Sequence, residues 1–186
     1  SHRGPDDKGL WFDDSQGIVF SHSRLSIIDL SEMGHQPMSS ACGKYVVVFN
    51  GEIYNYKELR LQLRAEGYIF KWEGDSDTEV LLSAISFWGI EKALKNFIGM
   101  YAIALWDRKS EKLTLARDRL GEKPLYYGWK GGVFMFGSEL KALSKHPNFT
   151  RNINNKAVSL YFDYGYIPAP YSIYEDIYKS CYKSKV

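Results

Sequence analysis

Asn50-Gly51-Glu52 places three kinds of chemistry in consecutive positions: a side-chain amide, a backbone open to close approach, and a carboxylate. Amide and backbone N–H groups can donate to an oxygen that gains negative charge. A carboxylate accepts from a cation, so the stretch has the makings of a polar binding edge. Asp77 is a further carboxylate, within Ser76-Asp77-Thr78-Glu79, where Ser76 and Glu79 have capping-box spacing. That spacing puts Asp77 in the first turn of a helix, where the macrodipole already favours negative charge. Taken singly, each has an ordinary reading, a strand-to-helix turn for the first and a helix-stabilising carboxylate for the second. Cys42 and Cys181 are far apart, without CxxC spacing or metal-like neighbours, so no disulfide framework or metal site is expected.

The elements that must hold these residues follow from pattern. Tyr45-Val46-Val47-Val48-Phe49 reads as a buried strand, ending where the polar stretch begins. Asn55 can cap a helix, with Glu58 at capping-box distance, Leu59 and Leu63 as an i,i+4 pair and Gly67 as the stop. Upstream, Leu10-Trp11-Phe12 and Gly17-Ile18-Val19-Phe20 bracket a turn at Asp13 to Gln16, which predicts a β-hairpin. Ser1 to Gly9 reads as loop, Arg24 to Ile28 as a short strand or extended loop, and Glu32 to Ser40 as irregular around Gly34 and Pro37.

Tyr68 to Trp72 is a strand candidate. After Ser76, the residues Val80, Leu81, Ala84, Ile85 and Trp88 place an apolar stripe on a helix that Gly89 ends, and Glu91 to Phe97 predicts another. The period then becomes that of strands over 101–106, 113–116, 125–129 and 133–136, an antiparallel meander. Ser138 caps a short helix to Leu143, and Asn154 or Asn155 another to Tyr161. Strands, helices, strands and helices in that order argue for an α+β domain with antiparallel sheets. Residues 1–164 form that domain, and residues 165–186, with Pro168, Pro170 and many Tyr, read as a linker or docking segment.

Composition bounds the partners. The 24 basic and 22 acidic residues are interspersed and sum to +2, which leaves no electrostatic footprint for nucleic acid or membrane. No stretch is apolar for long enough to span a bilayer and no signal sequence opens the chain, so a cytoplasmic location is the expectation. The 186 residues suffice for one domain with a sizeable core.

Several stretches together resemble one family, the glutaminase domain of glutamine-hydrolysing asparagine synthetases, among the class II glutamine amidotransferases. They are His2-Arg3-Gly4-Pro5-Asp6, Arg24 to Asp29, Gln36-Pro37, Asn50 to Asn55, Ser76 to Glu79, Gly99 to Ala102, Arg117 to Gly121, Lys123 to Tyr127, and Ser138 to Leu143. A single such motif says little, whereas the ordered set is specific. The resemblance implies an N-terminal-nucleophile hydrolase fold, a four-layer sandwich of two antiparallel β-sheets between helices. It also implies a reaction, hydrolysis of L-glutamine to glutamate and ammonia by the thiol of an N-terminal cysteine. The cysteine's own α-amine, with a pKa of roughly 8, can act as the base.

By that resemblance, the Asn50 side-chain amide and the Gly51 N–H form the oxyanion hole, where one lost donor typically costs on the order of a hundredfold in rate. Arg24 pairs with the substrate α-carboxylate, Glu52 and Asp77 accept from its α-ammonium, and backbone groups around Leu25 and Ile27 complete the pocket. Arg117-Asp118-Arg119 and Lys123-Pro124 match the family without a catalytic role, and structural ion pairing with a rigid turn is expected there. The family's nucleophile aligns with neither Cys42 nor Cys181, and Ser1 abuts a motif that lies downstream of it, so this chain alone is expected not to turn over glutamine. The resemblance further implies a C-terminal synthetase domain in the same polypeptide. ATP and magnesium belong there, since no SGGxDS loop occurs in this chain, and no cofactor or metal is expected for the glutaminase domain itself. A homodimer is a further open expectation. The alternative from a different class is a naturally inactive amidotransferase-fold module that binds or scaffolds.

Overall fold

The computed structural model describes residues 4–25 and 31–181. The chain divides into two compact units. One comprises the chain up to Gly99 with Ile103–Thr114, and the other Met100–Ala102 with the chain from Leu115 onward.

In the first unit, β1 (Asp7–Asp13) and β2 (Ile18–Arg24) form an antiparallel hairpin with Asp7 opposite Arg24 and Asp13 opposite Ile18. The predicted hairpin is therefore present and longer than expected, taking in Asp7 to Gly9, which composition suggested as loop. Gly9 explains part of this. A Cβ there would lie 1.8 Å from the Gln36 carbonyl oxygen, so only glycine lets β1 run this close to the next segment. A 3-10 turn (Glu32–Gly34), β3 (Met38–Ser39) and β4 (Tyr45–Ile53) follow, then helices α1 (Tyr56–Ala65), α2 (Asp77–Trp88) and α3 (Ile90–Asn96). The strands β5 (Gly99–Asp107) and β6 (Lys112–Arg117) complete a sheet of order β3-β4-β5-β6.

β4 and α2 form the centre of this unit. Val46, Val47, Phe49 and Ile53 of β4 are buried, as are Val80, Leu81, Ala84 and Ile85 of α2, which packs on β4, α1 and α3. Each fully buried aliphatic or aromatic side chain contributes about 1.5–3 kcal/mol, so this core can sustain a few costly polar groups. The prediction of a strand ending at Phe49 is corrected, since β4 continues through Asn50, Gly51 and Glu52 to Ile53. Tyr68 to Trp72 is not a strand. Ile69 is 88% exposed, while the Tyr68 ring meets those of Phe70, Trp72 and Phe87 and its hydroxyl lies 2.8 Å from Ser83 Oγ. The aromatic run satisfies itself locally and needs no sheet.

Both predicted capping boxes are also rewired. Ser76 Oγ accepts from the Thr78 N–H at 3.1 Å as a cap should, but Glu79 accepts from the Glu73 and Gly74 N–H groups at 2.7 and 3.0 Å. Asn55 makes no side-chain cap bond. Its amide instead donates to Asn96 O and accepts from the Ile98 N–H, each at 3.0 Å, which ties the start of α1 to the approach to β5.

In the second unit, β7 (Tyr126–Lys130), β8 (Val133–Gly137) and β9 (Ile177–Lys179) form an antiparallel sheet of order β8-β7-β9. The expected single meander is thus divided between two sheets. Helix α4 (Leu140–Leu143) starts at Glu139 and not at Ser138, without a side-chain cap. Helix α5 (Asn155–Tyr164) is capped by Asn154, which accepts from the Ala157 N–H at 3.2 Å, and closed by the left-handed Gly165. Met135, Leu143, Phe149 and Ile177 make a small core against Tyr126, Val133, Leu140 and Tyr174. The stretch read as linker or docking segment therefore carries β9, and Ile177, Ser172 and Ser180 within it are buried.

Where ion pairing was expected for Arg117-Asp118-Arg119, Arg117 and Asp118 form a backbone clamp. Arg117 donates to the carbonyls of Lys123, Gly121 and Ser180. Asp118, 2% exposed, accepts N–H bonds from Tyr101 at 3.3 Å, Glu122 at 2.9 Å and Lys123 at 3.0 Å. Burial opposes its ionisation, but these donors outweigh it and hold the carboxyl below its ordinary value. Asp118→Ala orphans three donors and should lower stability to denaturant by about 2–4 kcal/mol. Because the folded pKa is depressed, the wild-type contribution is present above pH 3.8 and lost as pH falls through the folded value, so the variant should lack that acid-sensitive component in urea titrations at stepped pH.

Candidate functional site

Arg24 closes β2 opposite Asp7 and is 9% exposed. Its Nη1 donates to the Ser31 carbonyl at 2.8 Å. The 3-10 turn leaves room for it only because residue 34 is glycine, since a Cβ on Gly34 would lie 1.9 Å from Nη2 and 2.5 Å from Cζ. Leu25, the next residue, is 56% exposed. Ile27 lies outside the described residues.

Asn50, Gly51 and Glu52 are half-buried in the second half of β4. β4 is pressed there by the start of β5, where a Cβ on Gly99 would meet the Glu52 carbonyl oxygen at 2.1 Å. Asp77 opens α2 and is 6% exposed, and its Oδ2 accepts from the Ile53 N–H at 2.9 Å. Burial pushes the Asp77 carboxyl up to about 6, against N–H donation from Ile53 and Thr78 and with help from the like charge of Glu52. A buried carboxylate beside a second carboxylate is complementary to a cation, and Arg24 to an anion. The first unit thus carries one cation on β2 and two carboxylates on β4 and α2.

Sequence reasoning gave no role to the residues that hold these elements together. Gln36 is 5% exposed, its Oε1 accepts from the Phe49 N–H at 2.6 Å, and its Nε2 donates to Thr78 Oγ1 at 3.4 Å. It thus bridges the residue before Asn50 and the residue after Asp77. His35 Nδ1 lies 2.6 Å from Asp7 Oδ2, a hydrogen bond that lowers the Asp7 pKa and fixes the same segment to β1. Gln36-Pro37 and Gly99 stood within matched motifs, so the signal was available, but only the folded backbone shows what each touches. Cys42 is exposed, with its thiol against Ser40 Oγ at 3.3 Å and Ser86 Oγ at 3.8 Å, and neither serine is among the proposed pocket residues.

A family model described as the glutamine amidotransferase domain matches residues 1–182. The chain is 42% identical to a putative glutamine-hydrolysing asparagine synthetase 2 of Methanocaldococcus jannaschii, the alignment covering 96% of this chain and 37% of that protein. It is 41% identical to the glutamine-hydrolysing asparagine synthetase 3 of Bacillus subtilis, over 89% of this chain and 26% of that one. The chain thus spans between about a quarter and just over a third of these relatives. Among solved structures, glutamine phosphoribosylpyrophosphate amidotransferase from B. subtilis, complexed with ADP and GMP, superposes with a TM-score of 0.56 at 27% identity, covering 68% of this chain and 28% of that one. No helix among the described residues is long and apolar enough to cross a membrane.

Asp77 gives this site a measurable signature. Its folded pKa of about 6 exceeds the ordinary 3.8, so between those values the folded chain holds a proton that the unfolded chain releases. The stability it contributes is present below pH 3.8 and is lost as pH rises through about 6. Asp77→Asn keeps an oxygen for the Ile53 N–H and removes the buried charge. The variant should be more stable than wild type at pH 7 by up to about 3 kcal/mol, with the difference vanishing near pH 4, in thermal or urea unfolding.

Proposed function

This chain belongs to the glutamine amidotransferase domain family, and from that premise we propose that its first unit binds L-glutamine as the glutaminase part of an asparagine-synthetase-like enzyme. Its fold is the α+β arrangement of antiparallel sheets and helices shared with N-terminal-nucleophile amidotransferases. The observation that carries the proposal is Asp77. A carboxylate taken out of water beside Glu52 costs stability unless a cation joins it, and the α-ammonium of an amino acid is such a cation. Arg24, held by Ser31 and Gly34, is the partner for the α-carboxylate. From these anchors at the α-carbon the substrate's side chain extends to place its amide at Asn50 and Gly51.

In the reaction we propose, a cysteine thiol attacks the carbonyl carbon of that amide. The oxygen gains a full negative charge and accepts from the Asn50 amide and the Gly51 N–H, which bind the tetrahedral intermediate more tightly than the planar amide. Collapse with a proton delivered to nitrogen breaks the C–N bond and releases ammonia. Water then hydrolyses the thioester to glutamate. Neither Cys42 nor Cys181 is assigned as the nucleophile, so binding, and not turnover, is the activity expected of these 186 residues alone. In the whole protein the ammonia would pass to a synthetase domain that forms an amide with ATP and magnesium.

Calorimetry with L-glutamine tests the reading. The wild-type chain should bind, and Arg24→Ala should weaken binding by about 10–100-fold, the loss expected for charge-assisted hydrogen bonds. Affinity should fall as pH is lowered through about 6, because protonating Asp77 removes the ammonium's acceptor. A folded wild-type chain without heat of binding, or Arg24→Ala with unchanged affinity, would overturn the proposal.

A further inference from the structure

We propose that Gln36 is a positioning residue for this pocket: its buried amide holds β4 beside Asn50 and the first turn of α2 beside Asp77, and so sets the length of amino-acid amide the pocket accepts. The inference rests on the glutamine-binding reading above and goes beyond it in naming what fixes chain-length selectivity.

The geometry is specific. The Phe49 N–H donates to Gln36 Oε1 at 2.6 Å, immediately before Asn50. Gln36 Nε2 donates to Thr78 Oγ1 at 3.4 Å, immediately after Asp77. Both ends are out of water, Gln36 at 5% and Thr78 at 4% exposure, so neither bond is readily exchanged for a solvent bond. The Gln36 backbone is itself fixed. Gly9 lets β1 lie against its carbonyl, where a Cβ would be 1.8 Å away, and neighbouring His35 is bound to Asp7 at 2.6 Å. Two residues earlier, Gly34 borders the Arg24 guanidinium. One short segment therefore touches the carboxylate anchor directly and the immediate chain neighbours of the oxyanion donor and the ammonium acceptor.

An amino-acid amide presents its reacting carbonyl at one end and its α-ammonium at the other. Glutamine and asparagine differ only in the number of methylenes between those ends. A pocket distinguishes them by the separation of the groups that bind each end, and Gln36 is the side chain that spans from the chain neighbour of one of those groups, Phe49, to the chain neighbour of the other, Thr78. It need not touch the substrate to set that separation.

The test compares L-glutamine with L-asparagine by calorimetry on the 186-residue chain and its variants. Wild type should prefer L-glutamine by at least about tenfold, the discrimination a single methylene supports. Q36M, of similar volume without the amide, should lose most of that preference. T78V, which cuts only the helix end of the bridge, should lose part of it, and T78S should restore it. A cooperative thermal transition in each variant separates these effects from unfolding. If Q36M does not fold, T78V against T78S decides: equal discrimination in both makes Gln36 merely structural and overturns the inference. Binding by wild type with unchanged discrimination in Q36M overturns the inference and leaves the pocket reading intact. No binding by wild type overturns the pocket reading and the inference with it.

Discussion

The 2.9 Å hydrogen bond from the Ile53 N–H to Asp77 is the constraint on which the first unit's chemistry depends. It joins the end of the central strand to the start of the most deeply buried helix, and it does so with a carboxylate that burial would rather see protonated. An uncharged side chain could accept the same N–H without that cost. The core of β4 and α2 supplies the stability against which the cost is set, since nearly every residue from Asp77 to Ile85 is buried. Charge at this position is thus retained against local stability, which is the pattern expected where a group exists to meet a ligand.

The second unit holds an instructive contrast. Asp118 and Asp77 both expose little surface, yet the carboxyl of Asp118 is held below the ordinary value whereas that of Asp77, the more strongly desolvated of the two, is raised. The difference lies in what surrounds each. Asp118 receives three backbone N–H bonds and closes a turn with Arg117. Asp77 faces the like charge of Glu52 and fewer donors. Exposed area alone therefore does not set the direction of a carboxyl's shift; the depth of desolvation and the balance of donors and charges around it do.

Much of this was legible in the sequence. The hairpin, α2, α3, the four central strands and the cap at Asn154 follow from period and capping residues, because those signals act over a few neighbouring positions. What escaped was non-local. The Tyr68 to Trp72 run has strand composition but finds its partners in its own rings and in α2. Asn55 has the residue type of a cap, yet its amide serves a chain segment about forty positions away. The charged residues proposed for the site stand out in the sequence through ordered motifs. Gln36 matched equally well but received no role, because what its amide joins, Phe49 thirteen positions on and Thr78 forty-two positions on, is set only by the fold.

Gly9, Gly34 and Gly99 each leave a space that one methyl group would fill with a clash, against Gln36, Arg24 and Glu52 respectively. This bears on how such pockets decay in lineages that cease to need them. A charged residue can drift conservatively while preserving hydrogen-bonding capacity, whereas an added carbon at any of these glycines moves the backbone or guanidinium that sets the site. Because the clashes at Gly9 and Gly99 are with backbone, those two glycines are demanded by the fold itself, and a descendant that abandoned amino-acid recognition could lose its charged positions while keeping them.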